Sequence, residues 1–322
     1  MGIRVLKGGM MTTVQDLGRT GYQSQGFSVS GVMDVRSFKI ANLLLDNPEN
    51  EAVLEFTLIG PTLEFTSETI ISITGGDFRP QINGKPAKMY TAIYMHRGDI
   101  LTFGGARTGT RGYIAFSSYL DVPVVMGSRS TNIKCQIGGY KGRKLEDEDY
   151  IAFRAKRRYL PYYLSRSLDL DEFDQEKTFT KEGRETFLNS EYTVTSEFDR
   201  MGCRLEGPFI AYKTTSDIIS DGIAFGSVQV PSHGKPIILL ADRQTTGGYA
   251  KIATVVSVDI PKLVQRKTEQ KVRFQAVSVE EAQKLLADEM KELNDFRSQI
   301  YTPCKEVLDC RLVAKRISTL FK

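Results

Sequence analysis

Short apolar runs, rich in β-branched and aromatic residues and each closed by Gly, Pro or Asp, recur along the chain and restrict its fold more than any other feature. "TLEFTSETIISITG" (62–75) alternates and then turns β-branched, and "GYIAFSSYL" (112–120), "KPIILLAD" (235–242) and "ATVVSVDI" (253–260) follow the same rule. Runs of this length between turn residues read as strands. Their spacing predicts a mainly β protein of barrel or sandwich type, and not alternating β and α units. Helical periodicity is confined to two stretches. "MDVRSFKIANLLLDN" (33–47) gathers Val35, Phe38, Ile40, Ala41 and Leu44 or Leu45 on one face, and the segment 278–296 opens with Ser278 and Glu281 at capping-box spacing.

A length of 322 residues suits two domains. Strand signals lapse in the acidic stretch 166–185, and the flanking halves echo one another. "DLGRTGYQSQG" (16–26) resembles "DRMGCRLEG" (199–207), and "GARTGTRGYIAF" (105–116) resembles "DRQTTGGYAKIA" (242–253). The unequal intervals exclude a simple tandem repeat. Two related β domains are expected, at 1–165 and 191–296, with a linker over 166–190 and an amphipathic or loosely packed tail over 297–322.

Several function classes drop out on composition. A net charge of +4, with 41% apolar and 25% charged residues, is that of an ordinary globular protein. The basic run "RAKRR" (154–158) is short and reads better as a solvated linker than as a nucleic-acid or membrane contact. Cys135, Cys203, Cys304 and Cys310 lack paired zinc-site spacing. His96 and His233 sit in turn-like settings and read as exposed turn residues, so neither a metal site nor a Ser/His/Asp triad is expected. The amino terminus has no long apolar core, so neither signal peptide nor membrane anchor is expected and a cytoplasmic location is the default.

Polar residues that exceed the needs of the backbone mark the candidate site. "DRQTTGGYAKIATV" (242–255) places an acid–base pair and two threonines between oily runs, where a tight connection needs only Gly, Asn or Asp. In "QDLGRTGYQSQG" (15–26), Gln15, Asp16, Arg19 and Gln23 are too polar for strand filling, and the alternative is an Asp16–Arg19 pair locking a turn. In "GSRST" (127–131), Arg129 stands among small residues and its fork suits a carboxylate or phosphate; equally, it could pin loop carbonyls. "DRMGCRLEGP" (199–208) reads as structural, with Asp199, Arg200, Arg204 and Glu206 in an ion-pair network across a hairpin.

These phrases, together with "GIAFGSVQVPSHGKP" (222–236), run in an order that resembles the carboxyltransferase-like family of allophanate hydrolase subunit 2, the C component of 5-oxoprolinase and the antagonist of a sporulation kinase inhibitor. The resemblance implies two cyclophilin-like β-barrel domains and a paired subunit near whose junction the site forms. It implies a role as the C component of an ATP-dependent 5-oxoprolinase, which opens 5-oxo-L-proline to L-glutamate while hydrolysing ATP, with a further hydrolytic subunit completing the reaction. The alternatives are a regulatory subunit that antagonises a kinase-inhibitor-like partner, and a carboxyltransferase-type subunit acting on urea or a related amide.

On that basis Asp242 and Arg243 are the candidate catalytic pair, with Arg243 reading the substrate carboxylate and Asp242 orienting it. Gln15, Arg19, Arg129, Gln229, Gln244, Thr245 and Thr246 are candidate substrate contacts, and Gly247 and Gly248 keep the turn low. The alternative for the pair is to tie a hairpin to the neighbouring barrel. ATP is expected to be shared with the paired subunit, because "GGARTGTRG" (104–112) and "GGYKGRK" (138–144) lack P-loop spacing. No lysine has a biotin-carrier setting. Two departures from the family pattern bear on the substrate: the Gly-Pro-Gln-like turn after the middle linker is replaced by "LDLDEFDQEKTF", and the tail after 296 is long.

Overall fold

The computed structural model describes residues 1–155, 166, 185–211, 217–249 and 251–301. Its first part comprises β1 (Gly2–Lys7), β2 (Met11–Gln15), α1 (Val35–Leu44), β3 (Val53–Thr57), β4 (Thr62–Phe65), β5 (Thr69–Gly75), β6 (Gln81–Ile82), β7 (Lys85–Pro86), β8 (Ala92–Met95), β9 (Ile100–Thr102), β10 (Arg111–Phe116) and β11 (Tyr150–Ala152). They form two antiparallel sheets, ordered β11-β1-β4-β9-β6-β7 and β2-β3-β10-β5-β8. Ile3, Val5, Leu63 and Phe65 from the first sheet meet Leu54, Phe56, Ile114 and Phe116 from the second in one core.

The strand "RGYIAF" shows why the second sheet is apolar on both faces. Ile114 and Phe116 of β10 enter that core, while Tyr113 and Ala115 point the other way, against Phe38, Ala41 and Leu45 at α1. Asp34 starts α1, its carboxylate accepting from the Ser37 N–H at 2.9 Å and the Ser37 hydroxyl at 2.7 Å. The expected apolar face is largely the buried one: Phe38, Ile40, Ala41, Leu44 and Leu45 are all enclosed.

The second part comprises α2 (Glu185–Asn189), β12 (Tyr192–Phe198), β13 (Gly202–Glu206), β14 (Asp217–Gly222), β15 (Ser227–Gln229), β16 (Ile237–Leu239), β17 (Thr246–Tyr249), β18 (Lys251–Thr254), α3 (Ile260–Val264), β19 (Lys271–Val272) and α4 (Val279–Tyr301). Its main sheet runs β18-β15-β16-β13-β12-β19, and β14 and β17 form a separate ribbon. The chain is thus mostly β and antiparallel, as its strand spacing predicts. Among the described residues, no strand before 155 shares a sheet with one after 191. Most of the expected linker (167–184) and tail (302–322) lies outside the described residues, and α4 continues past 296 to Tyr301.

Apolar contacts join the parts at two places. Met33, the residue before the α1 cap, is buried in the second core, with Val228, Ile238 and Val264. Farther along, α4 lays Ile300 against Ile40 and Leu44 of α1. The α4 start carries the expected capping box: the Glu281 N–H donates to Ser278 Oγ at 3.1 Å, and the Ser278 N–H to the Glu281 carboxylate at 2.7 Å. Ser278→Ala is therefore expected to cost about 1 kcal/mol, read as a lower urea midpoint with an unchanged slope. Among the described residues no helix is long and apolar enough to cross a membrane.

Candidate active site

The sheet register places a carboxylate on the face of β3 that looks towards the second part. β2, β3 and β10 align Thr13, Glu55 and Tyr113 in one row. Glu55, enclosed at 2% exposure, accepts from the Tyr113 hydroxyl at 3.0 Å and the Met33 N–H at 2.8 Å. Burial, with the Glu55 charge beside it, pushes the Tyr113 phenol well above its ordinary pKa, so it stays a protonated donor. The other Glu55 oxygen takes a hydrogen bond from Arg200, which arrives from the turn between β12 and β13.

Arg200 is the hinge pin of the junction. Its guanidinium also donates to the Gly31 carbonyl and to both oxygens of Asp242, at 2.8 and 3.4 Å. Burial alone would lower its pKa, but the Asp242 and Glu55 carboxylates raise it instead. A second guanidinium, Arg111, is buried nearby, donating to Thr57 Oγ1 and lying 5.6 Å from the Phe198 ring centre. Gln265 closes this side of the junction, its Nε2 donating to Asp34 at 2.9 Å while its Oε1 accepts from the Thr110 and Arg111 N–H groups.

Next to this pin lies a focus that contains four of the expected site residues, Gln15, Arg19, Arg129 and Asp242. Asp16 accepts from the Gly18 N–H at 2.8 Å, the Ser128 hydroxyl at 2.6 Å, the Ser130 hydroxyl at 2.5 Å and the Arg129 N–H at 2.6 Å. Oδ1 takes three of these donors and Oδ2 the Arg129 N–H, so Asp16 organises the "GSRST" loop, and its hydrogen bonds go there and to Gly18 rather than to Arg19. Arg19 is 1% exposed and donates through Nη2 to the Ser130 carbonyl, while its Nε and Nη1 have no partner among the described residues. Burial lowers the Arg19 pKa, and the neighbouring Asp16 and Asp242 charges oppose that. Gln15 Nε2 donates to Thr13 Oγ1 and the Thr131 carbonyl, and its Oε1 is also unpartnered, as is Ser30 Oγ.

The stretch 242–255 divides between two places. Asp242 faces Arg200 and Arg19, whereas Arg243 turns away to donate to the Ile223 and Leu240 carbonyls at 3.1 and 3.2 Å and lies 5.6 Å from the Phe225 ring centre. The expected orienting contact between Asp242 and Arg243 is replaced, because the buried guanidinium of Arg200 takes both Asp242 oxygens. Nor is the stretch a plain hairpin connection: it contains β17, which leaves the main sheet to pair with β14. Gln229 and Gly247 meet beside Ile223, so close that a Cβ at Gly247 would lie 2.6 Å from Gln229 Nε2. Thr245 contributes its carbonyl to the Ile223 N–H at 3.0 Å, and the side chains of Gln244 and Thr246 are exposed.

The network expected across the 199–208 hairpin forms differently. Arg204 pairs with Glu197 at 2.8 Å and Glu206 with Lys235, while Asp199 caps the turn through the Met201 N–H at 2.7 Å. Arg200, read as part of that local network, instead crosses to the other part.

Comparison with known proteins decides the family. The carboxyltransferase domain, subdomain A and B, matches residues 25–276. The C component of 5-oxoprolinase from Escherichia coli K12 is 34% identical over 90% of this chain and 96% of its own length. This chain belongs to the carboxyltransferase domain family. Another relative, the 5-oxoprolinase C component of Haemophilus influenzae, is 36% identical over 85% of this chain and 90% of its own length. The Kluyveromyces lactis urea carboxylase structure matches with a TM-score of 0.82 at 28% identity, covering 92% of this chain but only 29% of that one.

Within this family member, neither glycine-rich segment opens a helix whose amino terminus could cradle a phosphate. Gly138, Gly139 and Gly142 are packed so tightly against Ser130, Thr131 and Gln136 that a Cβ at each would come within 2.2 Å of them. The 104–112 segment has the Ala106 and Arg107 carbonyls held by Lys267 Nζ at 3.0 and 3.3 Å, and it leads into a strand rather than a helix amino terminus. Neither segment therefore supplies a step through nucleotide.

Cysteine chemistry separates by burial. The Cys203 thiol lies in the second core and burial pushes its pKa up to about 12, whereas Cys135 is exposed. Iodoacetamide on the native protein at pH 8 is expected to label Cys135 and to spare Cys203 until urea is added, as read by peptide mass spectrometry. Labelling of Cys203 at the same rate as Cys135 would contradict this burial.

Proposed function

We propose that this chain is the C component of an ATP-dependent 5-oxoprolinase, opening the lactam of 5-oxo-L-proline to L-glutamate together with a paired subunit and a further hydrolytic subunit. The observation that supports it most is the junction focus, where Arg19, Gln15 and Ser30 hold buried polar atoms without partners among the described residues. A compact ligand with one carboxylate and one amide supplies the missing acceptors and donors. The near full-length correspondence with two proteins named as 5-oxoprolinase C components favours this reading over the urea carboxylase one.

In this reading Gln15, Arg19, Arg129 and Asp242 serve the substrate, and Ser128 and Ser130 position them through Asp16. The second focus, with Gln229, Arg243, Gln244, Thr245, Thr246, Gly247 and Gly248, braces the 240–249 segment against the paired subunit. ATP is held largely on that subunit, in a cytoplasmic complex. The test is glutamate formation by the purified chain alone and after addition of its paired and hydrolytic subunits with ATP. Activity is expected only in the complete mixture. Robust cleavage by the single chain would overturn the dependence on partners; no cleavage by the mixture, together with urea carboxylation, would favour the carboxyltransferase reading.

A further inference from the structure

The segment 18–31 forms a closed loop over the junction. Its neck is tight: the Arg19 N–H donates to the Val29 carbonyl at 2.7 Å and the Val32 N–H to the Asp16 carbonyl at 2.9 Å. Gly18 and Gly31, both with positive φ, face each other there, and a Cβ on Gly18 would lie 2.6 Å from the Val29 oxygen. Its tip is open: the short helical turn Gln23–Gln25 buries no residue. Hydrogen bonds hold it down, from Asn132 Nδ2 to Ser28 Oγ at 2.7 Å and from the Ser30 N–H to the Ala241 carbonyl at 3.1 Å. The base of the loop is fixed further by Arg200 on the Gly31 carbonyl, whereas the tip, which buries no residue and makes none of these contacts, opens at low free-energy cost.

At its neck sits a cation, Arg19, whose donors are only partly used. Ser130 takes a single hydrogen on Arg19 Nη2, and Nε and Nη1 stay unpartnered among the described residues. Whichever edge of the guanidinium remains, Nε with Nη2 or Nη1 with Nη2, it presents a two-donor fork of the kind that takes a carboxylate. Neither nearby carboxylate fills the fork, since Asp16 is satisfied by four donors and both Asp242 oxygens go to Arg200. Arg243 differs, because its Nε and Nη1 already hold the Ile223 and Leu240 carbonyls. We propose that Arg19 at the neck of the 18–31 loop, and not Arg243, grips the carboxylate of the substrate, the loop's tip opening to admit it. The inference rests on the 5-oxoprolinase reading and specifies which residue recognises the acid group.

The test compares two substrates in the reconstituted complex: 5-oxo-L-proline and its carboxamide, which has the same ring and no carboxylate. The wild-type complex is expected to prefer the acid by at least about tenfold in kcat/KM, the size of a charge-assisted contact. In Arg19→Ala that preference is expected to collapse to within about threefold, chiefly through a higher KM for the acid, with turnover of the carboxamide little changed. A general structural role would depress both substrates alike and leave the preference intact, which would overturn the assignment. If the alanine variant does not fold, Arg19→Lys carries the test, because it keeps the charge and loses the fork, and a smaller loss of preference is expected. Collapse of the preference in Arg243→Ala instead of Arg19→Ala would overturn the proposal in favour of the other arginine. A wild-type complex that cleaves both compounds equally overturns the carboxylate contact while leaving the proposed function standing; one that cleaves neither overturns both.

Discussion

Arg200→Ala is expected to destabilise the protein by about 3–5 kcal/mol, the cost of removing one partner from a buried ion pair. Arg200 is 8% exposed and its partners Glu55 and Asp242 are 2% and 9% exposed, so neither carboxylate can turn to water when the guanidinium is removed. The Gly31 carbonyl loses its donor at the same time. Spread over a chain of this size, that corresponds to a fall in melting temperature on the order of 10 °C. The neighbouring Arg204, whose partner Glu197 is 71% exposed, supplies the contrast: Arg204→Ala is expected to cost under about 1 kcal/mol. Because the pin joins the two parts, the variant should also unfold less cooperatively, with the first sheets outlasting the second in hydrogen exchange. Similar small losses for both arginines would show that the Arg200 contacts are not the joint described.

What was legible in the sequence was local. The α1 face needs only helical spacing, and the capping box at Ser278 and Glu281 only three residues of separation. The strands of the two sheets were legible too, because turn residues bracket each apolar run. The Arg200–Glu55 contact was not, since its partners lie 145 positions apart and each has a plausible local role. Arg200 sits in "DR" beside Asp199 and invites a hairpin network; the same adjacency made Asp242 and Arg243 look like a pair. Strand geometry explains the failure: side chains of adjacent residues face opposite ways, and a loop that enters a junction splits its neighbours in the same manner. One trace of Glu55 was visible, a lone acid inside "VLEFT" among residues of a buried strand. An acid there is costly unless paired, so it signals a partner without saying where in the chain the partner lies. Gln15, Arg19 and Arg129 stand out for a different reason, as polar residues in excess of what their turns require, and the fold brings the Gln15 and Arg19 side chains to the 129–131 backbone.

Asp16 shows how far that focus depends on a single side chain. Its carboxylate receives four donors from two segments: Gly18 in the neck of the 18–31 loop, and Ser128, Arg129 and Ser130 in the loop that reaches Arg19. Asp16→Ala leaves those donors buried with nothing to accept them, at about 1–3 kcal/mol each before relaxation and entry of water, so a net loss of about 3–5 kcal/mol is expected. Asp16→Asn separates charge from geometry. It keeps one acceptor oxygen, which can still take the Gly18 N–H and the two serine hydroxyls, but it turns an amide N–H towards the Arg129 N–H, where two donors meet. A loss of about 1–3 kcal/mol is expected for that variant, with turnover of 5-oxo-L-proline by the complex falling further than stability, because the Ser130 carbonyl that holds Arg19 belongs to the displaced loop. Urea unfolding and steady-state assays of the two variants decide the matter. If Asp16→Ala costs less than about 1 kcal/mol, the loops are held by other contacts and Asp16 is not their anchor; if Asp16→Asn keeps full turnover, the placement of Arg19 does not depend on it.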